Sequence, residues 1–187
     1  MSCFNEHFNK VNFTPNLVLA KEYVQCVFTA CDFAAISLSS IVFESCEFVE
    51  CNFSVVTVVQ TAFRDVSFVK CKLTGVRFED CNTFGLSFNM LDCNATHTSF
   101  FRLKLKKSVF TNIQFFESDF SESDFTESVF DMCDFSGAVF YQTRLEKSDF
   151  RTSRDFIIDP TKNNVKKARF SLLGLKGLVH AFHIMVD

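Results

Sequence analysis

The sequence predicts an all-β solenoid with four-sided coils and a short helical cap at its C-terminal end. Three observations lead to this prediction: large apolar residues recur every five positions, small residues precede them by two positions, and this regularity weakens toward both ends. Of the 187 residues, 27 are Phe, 2 are Tyr and none is Trp. One large side chain is therefore used repeatedly in the same kind of position, as in a repeat protein.

The central position of each five-residue unit holds the large side chain. From Tyr23 the spacing predicts central residues at intervals of five as far as Phe88 and Cys93, and a second series runs unbroken from Phe100 to Phe150. A helix needs apolar residues three and four apart and a half-buried strand needs alternation, so neither explains this period. Four units, about 20 residues, would close one square coil, and parallel β-type hydrogen bonds would join stacked coils about 4.8 Å apart.

The position two residues before the centre is small. It holds Ser, Thr, Ala, Val and seven of the nine Cys, so we interpret these thiols as reduced packing groups in the core. There is no CxxC pair, and the four His lie far from any Cys pair at zinc spacing. The sequence therefore predicts neither a metal site nor a disulfide framework.

The units CDFAA, CEFVE, CNFSV, SDFSE, SDFTE and CDFSG resemble those of the pentapeptide-repeat family, over roughly residues 23–153. The resemblance implies a right-handed quadrilateral β-helix. It also implies that the C-terminal end can form a homodimer, as it does in several members of that family.

The pattern predicts three segments. Residues 1–22 are expected to form an irregular N-terminal cap, because the repeat is weak near Thr14 and Pro15 cannot donate a ladder hydrogen bond. Residues 23–153 form the solenoid, with a two-residue insertion near 94–98, because the two series differ in phase by two. Residues 154–187 form the helical cap and dimerisation segment.

The cap includes a helix-compatible stretch, Thr161–Arg169, and a second one for which Ser171 is a possible N-cap. Large apolar residues follow Ser171 at helix-like spacing. A lid on the last coil explains them, and their number also favours self-association. The dimer interface candidates are Leu172, Leu175, Leu178, Phe182 and Ile184.

Enzymatic motifs are absent from the sequence. With only five Gly it has no glycine-rich phosphate loop, and it has neither HExxH nor GxSxG. A solenoid whose axis is filled by Phe also leaves no substrate cavity, so we expect no catalytic residues and no cofactor. No apolar run reaches the roughly 20 residues of a membrane span, and the first residues lack a signal peptide's hydrophobic stretch, so we expect a cytoplasmic protein.

The outer surface is then the only part available for function, and its charges are unevenly distributed. The net charge is -3, and the segment between Lys107 and Arg144 contains seven acidic residues and no Lys or Arg. Residues 20 apart should stack on one face, which predicts cross-coil ion pairs. These are Glu44 with Arg64, Glu50 with Lys70, Glu122 with Arg102, Asp124 with Lys104 and Arg144, Glu127 with Lys107 and Lys147, Asp131 with Arg151, and Asp134 with Arg154.

Some acids have no basic neighbour at that spacing and are the candidates for contact with a partner; solubility is the alternative explanation. The acidic candidates are Asp32, Glu47, Glu79, Asp80, Glu117 and Asp119, and the loop candidates in the insertion are Asn94, Thr96 and His97. Direct nucleic-acid binding is not expected. It would need a basic stripe, and the only cluster in the sequence is Arg102, Lys104, Lys106 and Lys107.

Within the family, the chain resembles the group that protects DNA gyrase and topoisomerase IV, which includes the Qnr-type quinolone-resistance and microcin-B immunity proteins. The stretches LDCNATHTSFFRLKLKKSVF, IDPTKNN and GLKGLV carry this resemblance. It implies a DNA-mimic-like protein that binds a type II topoisomerase and relieves poisoning by a drug or toxin. The alternative is a non-enzymatic scaffold for an unrelated protein, since a fold alone does not determine function.

Overall fold

The computed structural model describes residues 2–14 and 20–184, which form a four-sided parallel β-helix. The strands are β1 (Ser2–Phe4), β2 (His7–Asn9), β3 (Glu22–Val24), β4 (Val27–Thr29), β5 (Val42–Glu44), β6 (Glu47–Val49), β7 (Ala62–Arg64), β8 (Val66–Val69), β9 (Phe88–Leu91), β10 (Val109–Thr111) and β11 (Val129–Asp131). Face 1 carries the sheet β1-β3-β5-β7, and face 2 carries the seven-stranded sheet β11-β10-β9-β8-β6-β4-β2. Isolated parallel bridges form face 3, where Asp32 pairs with Asn52, and face 4, where Ser37 pairs with Thr57.

The register confirms a coil of 20 residues over most of the chain. Tyr23 pairs with Phe43 on face 1, and Phe28 pairs with Phe48 on face 2. The same step joins Phe110 to Phe130 in the second half. Each outward side chain consequently lies directly above the one 20 positions earlier.

Phe rings fill the axis. On face 2 the rings of Phe28 and Phe48 stack with centroids 4.7 Å apart, and those of Phe130 and Phe150 stack at 4.6 Å. Rings on adjacent faces meet edge to face; Phe48 and Phe53, for example, are 5.0 Å apart at 85°. Both arrangements are favoured between aromatic rings, so the columns add specific contacts to the burial of apolar area.

The small residue two positions before each ring fills the corner and satisfies a backbone carbonyl. The Cys51 thiol donates to the Phe28 carbonyl at 3.3 Å, and the Ser128 hydroxyl donates to the Leu105 carbonyl at 2.9 Å. Burial raises the pKa of the Cys46 thiol to about 11. Buried, protonated thiols of this kind are packing groups with low nucleophilic reactivity.

The N-terminal residues are more regular than the sequence predicted. β1 pairs with β3, and β2 pairs with β4, so coiling begins at Ser2 and the expected irregular cap over 1–22 is wrong for these strands. Cys3 occupies a central position there, which conceals the repeat from a search for Phe. The predicted interruption at Pro15 lies outside the described residues.

The two-residue insertion lies earlier than residues 94–98. Gln60 still bonds to Asp80, 20 residues away, whereas Val66 pairs with Phe88, 22 residues away. The extra residues therefore lie in the loop 82–87 on face 1. Beyond this loop Met90 holds the central position between Phe68 and Phe110, and Phe88 fills a corner slot. The sequence prediction was wrong because it took Phe88 and Cys93 to be central.

The solenoid also continues beyond Ser153. Asn164 bridges to Arg144, and the ring of Phe170 stacks on that of Phe150 at 5.4 Å. The stretch Thr161–Arg169 therefore belongs to a further coil and is not helical.

A short helix, α1 (Leu175–Val179), follows the last coil and leads into a 3₁₀ turn, His180–Phe182. Gly174 is its N-cap residue, so Ser171 is not; the Ser171 hydroxyl accepts the Gly174 N–H at 3.1 Å in the turn before α1. Among the described residues, no helix has the length and apolar character needed to cross a membrane.

The coil turns its corners through left-handed backbone. Two residues after most central positions φ is positive, as at Asn5 (55°), Glu50 (55°) and Glu127 (63°). Gly and Asn adopt this region at low cost, whereas other residues lose about 1–2 kcal/mol there. Val55 is the most strained case, because it is β-branched with φ at 50°.

Replacing Val55 with Asn is therefore expected to raise the free energy of unfolding by about 0.5–1 kcal/mol, because Asn tolerates the left-handed region. The Val55 side chain is 61% exposed, so little buried apolar area is lost. Val59→Asn is the matched control, since Val59 is 45% exposed and has no positive φ. Urea unfolding measures both variants; an equal gain in the two, or none in Val55→Asn, would contradict the strain explanation.

Candidate functional surface

Among the described residues, the exterior of the rod and a groove at its C-terminal end are the surfaces open to a partner. The central rings are buried along most of the rod, and those of Phe100, Phe120 and Phe130 are at most 1% exposed. The groove has a volume of about 800 Å³ and lies between residues 151–156 and the segment 171–177. Function must therefore depend on the outward side chains of the four faces and on the C-terminal segment.

Most of the cross-coil ion pairs predicted from the 20-residue spacing are present. The pairs that form as predicted are Arg64–Glu44 at 3.6 Å, Lys70–Glu50 at 4.0 Å, Arg102–Glu122 at 2.7 Å, Lys107–Glu127 at 3.7 Å, Lys147–Glu127 at 2.6 Å, Arg144–Asp124 at 3.7 Å and Arg154–Asp134 at 2.7 Å. They form because parallel stacking places the two side chains on adjacent coils. Exposed pairs of this type contribute little to stability, because water and salt screen them.

Two of the predicted pairs do not form as expected. Lys106, and not Lys104, lies 3.2 Å from Asp124. Arg151 turns back within its own coil to Asp149 at 2.7 Å, and Asp131 instead accepts the Thr152 hydroxyl at 2.7 Å. A long basic side chain can thus pair with a carboxylate two residues away in its own coil instead of one on the next coil.

Three of the acidic candidates have basic neighbours after all. Arg77 lies 3.1 Å from Glu79 and 3.6 Å from Asp80, both in its own coil. Glu117 lies 3.3 Å from Nδ1 of His97, directly below it, which attracts the carboxylate when the imidazole is protonated. The sequence analysis missed Arg77 because it considered only residues 20 apart, and it missed His97 because it did not count His as a base. These three acids remain candidates for contact with a partner.

The side chains of Asp32 and Asp119 stabilise turns of the solenoid. Asp32 accepts the Ala34 N–H at 3.0 Å, and Asp119 accepts the Ser121 N–H at 2.8 Å. Asn52, Asn94, Asp124 and Asp134 make the same bond to the residue two positions on. This turn explains why the position before the ring is so often acidic or an amide. Glu47 is exposed and has no ion pair among the described residues.

The loop candidates lie in a regular coil. Asn94 bridges to Lys72 below and Gln114 above, and its side chain accepts the Thr96 N–H at 3.0 Å. Of the three candidates, His97 alone contacts an acidic candidate, Glu117.

The true loop, 82–87, presents an aromatic side chain that the sequence prediction missed. Phe84 is 79% exposed, and the Arg64 guanidinium lies 5.7 Å from its ring centroid. Gly85 turns the chain there with φ at 71°. The TFG sequence was the available signal, since Gly beside an irregular repeat indicates a turn.

The dimer candidates divide into exposed and inward-facing residues. Leu172, Leu175, Phe182 and Ile184 are 86%, 42%, 55% and 58% exposed, whereas Leu178 packs against the core. Leu173, which was not among the candidates, is 86% exposed. The segment therefore closes the rod with one side and leaves an apolar side open.

Several surface carboxylates are stabilised in their charged form. Burial of Asp134 raises its pKa, but hydrogen bonds from the Ser136 hydroxyl and N–H and from Arg154 outweigh burial, so the pKa is lowered overall. A carboxylate whose pKa is lowered on folding stabilises the protein above its unfolded pKa of about 3.9, and this contribution is lost as the pH falls below that value.

Asp134→Asn is expected to keep the turn bond to Ser136 and lose the ion pair with Arg154. The variant should have a lower urea midpoint than the parent at neutral pH, and the difference should vanish near pH ~2, below the unfolded pKa. Asp32→Asn keeps the same kind of turn bond and removes no ion pair, so its midpoint at neutral pH should match the parent's. A difference for Asp134→Asn that persists unchanged in acid would contradict the ionic explanation.

Comparison with known proteins gives family and structural matches. The family model described as "Pentapeptide repeat region" matches residues 21–100, and the model "Pentapeptide repeats (8 copies)" matches residues 118–154. The full-length structure of QnrB1, a plasmid-mediated fluoroquinolone resistance protein, has a TM-score of 0.55 at 15% identity, covering 98% of this chain and all of that one. No curated protein sequence matches the chain.

A second solved structure is HetL, a pentapeptide repeat protein involved in heterocyst differentiation regulation from the cyanobacterium Nostoc sp. strain PCC 7120. It matches with a TM-score of 0.47 at 11% identity, covering 92% of this chain and 85% of that one. At such identities the likeness to solved structures shows the fold alone.

Proposed function

Because this chain belongs to the pentapeptide-repeat family, we propose that it is a non-enzymatic binding protein whose partner is a type II topoisomerase such as DNA gyrase. In this proposal the protein acts in the cytoplasm. It binds the DNA-gripping surface of the topoisomerase and protects that enzyme from a drug or toxin. The observation that carries the proposal is the filled axis, since it leaves the rigid exterior and the C-terminal groove of the described residues as the surfaces that a partner can reach. The match over the whole length of a fluoroquinolone resistance protein supports the choice of partner.

The coil that includes residues 117–134 is the proposed mimic of nucleic-acid phosphate. Its acids lie on several faces at the spacing of stacked coils, and most of them are held in place by a base or a turn bond. Fixed carboxylates present a defined charge pattern to a DNA-binding surface. The electrostatic part of the binding should weaken as salt is added.

A supercoiling assay with purified gyrase and a fluoroquinolone tests the proposal. The protein should restore supercoiling in the presence of the drug, in proportion to its concentration. The combined change Glu47→Gln, Glu117→Gln and Asp119→Asn should weaken protection, because it removes charge while keeping size and the turn at 119. Glu44→Gln with Glu50→Gln is the control, because these two acids are already paired with Arg64 and Lys70. No effect of the parent protein on gyrase, with or without drug, would rule the proposal out.

We further propose that the chain forms a homodimer through its C-terminal segment. The open apolar side of Leu172, Leu173, Phe182 and Ile184 supports this. The region 141–184 carries nine Lys or Arg against four Asp or Glu, so the two ends should repel each other.

Dimerisation measured by sedimentation should strengthen from about 50 mM to about 500 mM salt, as the repulsion is screened. Leu172→Asp with Leu173→Asp should give a monomer at both concentrations, and a dimer that this change leaves intact would contradict the assignment.

A scaffold for an unrelated protein is the second candidate. Exposed apolar side chains on face 2 favour it: Leu91, Val109 and Val129 are 41%, 44% and 38% exposed. If this face binds the partner, Val109→Asp with Val129→Asp should abolish binding to that partner, and the acidic variants should leave it intact. Protection of gyrase that needs the acids and not the two Val would argue against the scaffold.

A further inference from the structure

We propose that face 1 of the C-terminal half binds the phosphate backbone of nucleic acid. The surface, called here the basic face, consists of the stacked segments 104–107, 124–127, 144–147 and 164–167, together with Arg169 beside them. Parallel bridges from Lys104 to Asp124, from Asp124 to Arg144 and from Arg144 to Asn164 align these segments. The four segments contain seven Lys or Arg and three acids. The sequence prediction found no basic stripe because its members are far apart along the chain.

The acids on the basic face do not cancel its charge. Asp124 lies between Lys106 at 3.2 Å and Arg144 at 3.7 Å. Glu127 lies between Lys147 at 2.6 Å and Lys107 at 3.7 Å. Glu146, the third acid, lies 3.0 Å from Arg144, so Arg144 serves two carboxylates. The group of Glu127, Lys107 and Lys147 retains one positive charge, and the excess of Lys and Arg over acids gives the four segments a net charge of +4. The carboxylates also hold the basic side chains in fixed positions along the face.

The remaining cations of this surface have no such partner. Lys104, Lys166, Lys167 and Arg169 form no ion pair among the residues that the structure describes. Arg169 and Lys167 line a shallow pocket of about 420 Å³ together with Lys147, Val129 and Asp149. Asp149 is held by Arg151 at 2.7 Å, so its charge is already compensated. The pocket is therefore suited to an anionic group such as a phosphate.

The arrangement fits a chain of anions better than a single one. Cations lie in three of the four segments, which stack about 4.8 Å apart over a flat face roughly 15 Å high, while segment 124–127 contributes acids alone. Duplex DNA carries one negative charge per about 1.7 Å of its axis, so several phosphates can meet the face at once. The inference does not depend on a topoisomerase partner, because it concerns binding of nucleic acid itself.

Fluorescence anisotropy with a labelled duplex of about 20 base pairs tests the inference over a salt series. Four phosphate contacts predict a slope of about -3.6 in log K against log salt, and hence a loss of roughly 100-fold in affinity between 50 and 200 mM. The variant Lys166→Glu, Lys167→Glu and Arg169→Glu should reduce the magnitude of the slope by about 3. The matched control is Lys10→Glu, Lys21→Glu and Lys72→Glu, which changes the net charge equally on other parts of the rod.

The outcomes are distinct. A steep slope that the basic-face variant removes and the control retains supports the proposal, provided that both variants unfold at the parent's temperature. Equal losses in the two variants would show a general charge effect and overturn it. So would the absence of binding at the lowest salt, or tighter binding of a poly-glutamate peptide than of the duplex, because the partner would then be an acidic protein. These results do not involve gyrase, so they can fail independently of the protection assay.

Discussion

Replacing Phe115 with Ala is expected to lower the free energy of unfolding by about 3–5 kcal/mol, the usual range for removing a fully buried ring. Its ring is completely buried and lies 5.2 Å from Phe135 in its own column and 5.1 Å from Phe120 on the next face. Each coil contacts only its neighbours, so a cavity there should separate the two halves of the rod. Urea unfolding and limited proteolysis would show the loss of stability and a new cleavage region in the middle of the chain.

Phe116→Ala provides a control at the next residue. The Phe116 side chain points outward and is 44% exposed, so its removal should change the unfolding free energy by less than about 1 kcal/mol. The pair separates inward from outward positions with the same residue type. Similar losses in the two variants would contradict the assignment of Phe115 to the axis.

Gly177→Ala is expected to displace the C-terminal segment and to destabilise the chain by about 1–3 kcal/mol, as overpacking does elsewhere. A Cβ at Gly177 would clash with the Phe156 carbonyl oxygen, which is backbone and cannot move aside alone. The Gly177 carbonyl also accepts the Ile158 N–H at 3.1 Å, so displacement costs this bond as well. Thermal unfolding would measure the loss, and proteolysis near residue 171 would show the displaced segment.

Lys176→Ala tests the same helix without the close approach. Lys176 is exposed, and Ala is a good helix former, so this change should leave the midpoint almost unaltered. If Gly177→Ala also unfolds at the parent's temperature, the tight contact with Phe156 does not fix the segment. The dimer assay on Gly177→Ala gives a second measurement, because a displaced segment should also lose self-association.

The period of five was sufficient to predict the coil, the ring columns and the 20-residue register, since side-chain size at each position is a local property of the sequence. It was harder to predict which residues occupy the central positions around the two-residue insertion. Met90 and Ala95 occupy central positions and Phe88 a corner, so residue type alone placed the insertion near 94–98 when it lies in 82–87. The first coil was missed because the weak repeat near Thr14 and Pro15 was taken to mark an irregular cap, although Phe8 and Phe13 stand at the five-residue spacing. The last coil was missed because Val165 stands where a Phe was expected.

The surface was predicted less well than the core. Register predicts which residues stack, so pairs such as Arg154 with Asp134 were confirmed. Register does not predict which of two nearby carboxylates a flexible Arg side chain will pair with. Arg77 and Arg151 pair with acids in their own coil. The Asp candidates that immediately precede a central ring were taken for free surface charges for another reason. Each accepts a hydrogen bond from the backbone N–H two residues on, and the charge pattern of the sequence does not show this bond.

The strict 20-residue register makes the exterior a lattice with one row per coil. Because each row rests only on the rows beside it, duplicating or deleting one whole coil would change the length of the rod and leave every other contact intact. A shift of two residues is absorbed at one corner, as the loop 82–87 already shows. The length of the rod and the side chains that it presents to a partner can therefore evolve separately. The length changes when a whole coil is gained or lost, and the surface changes when single outward residues are substituted.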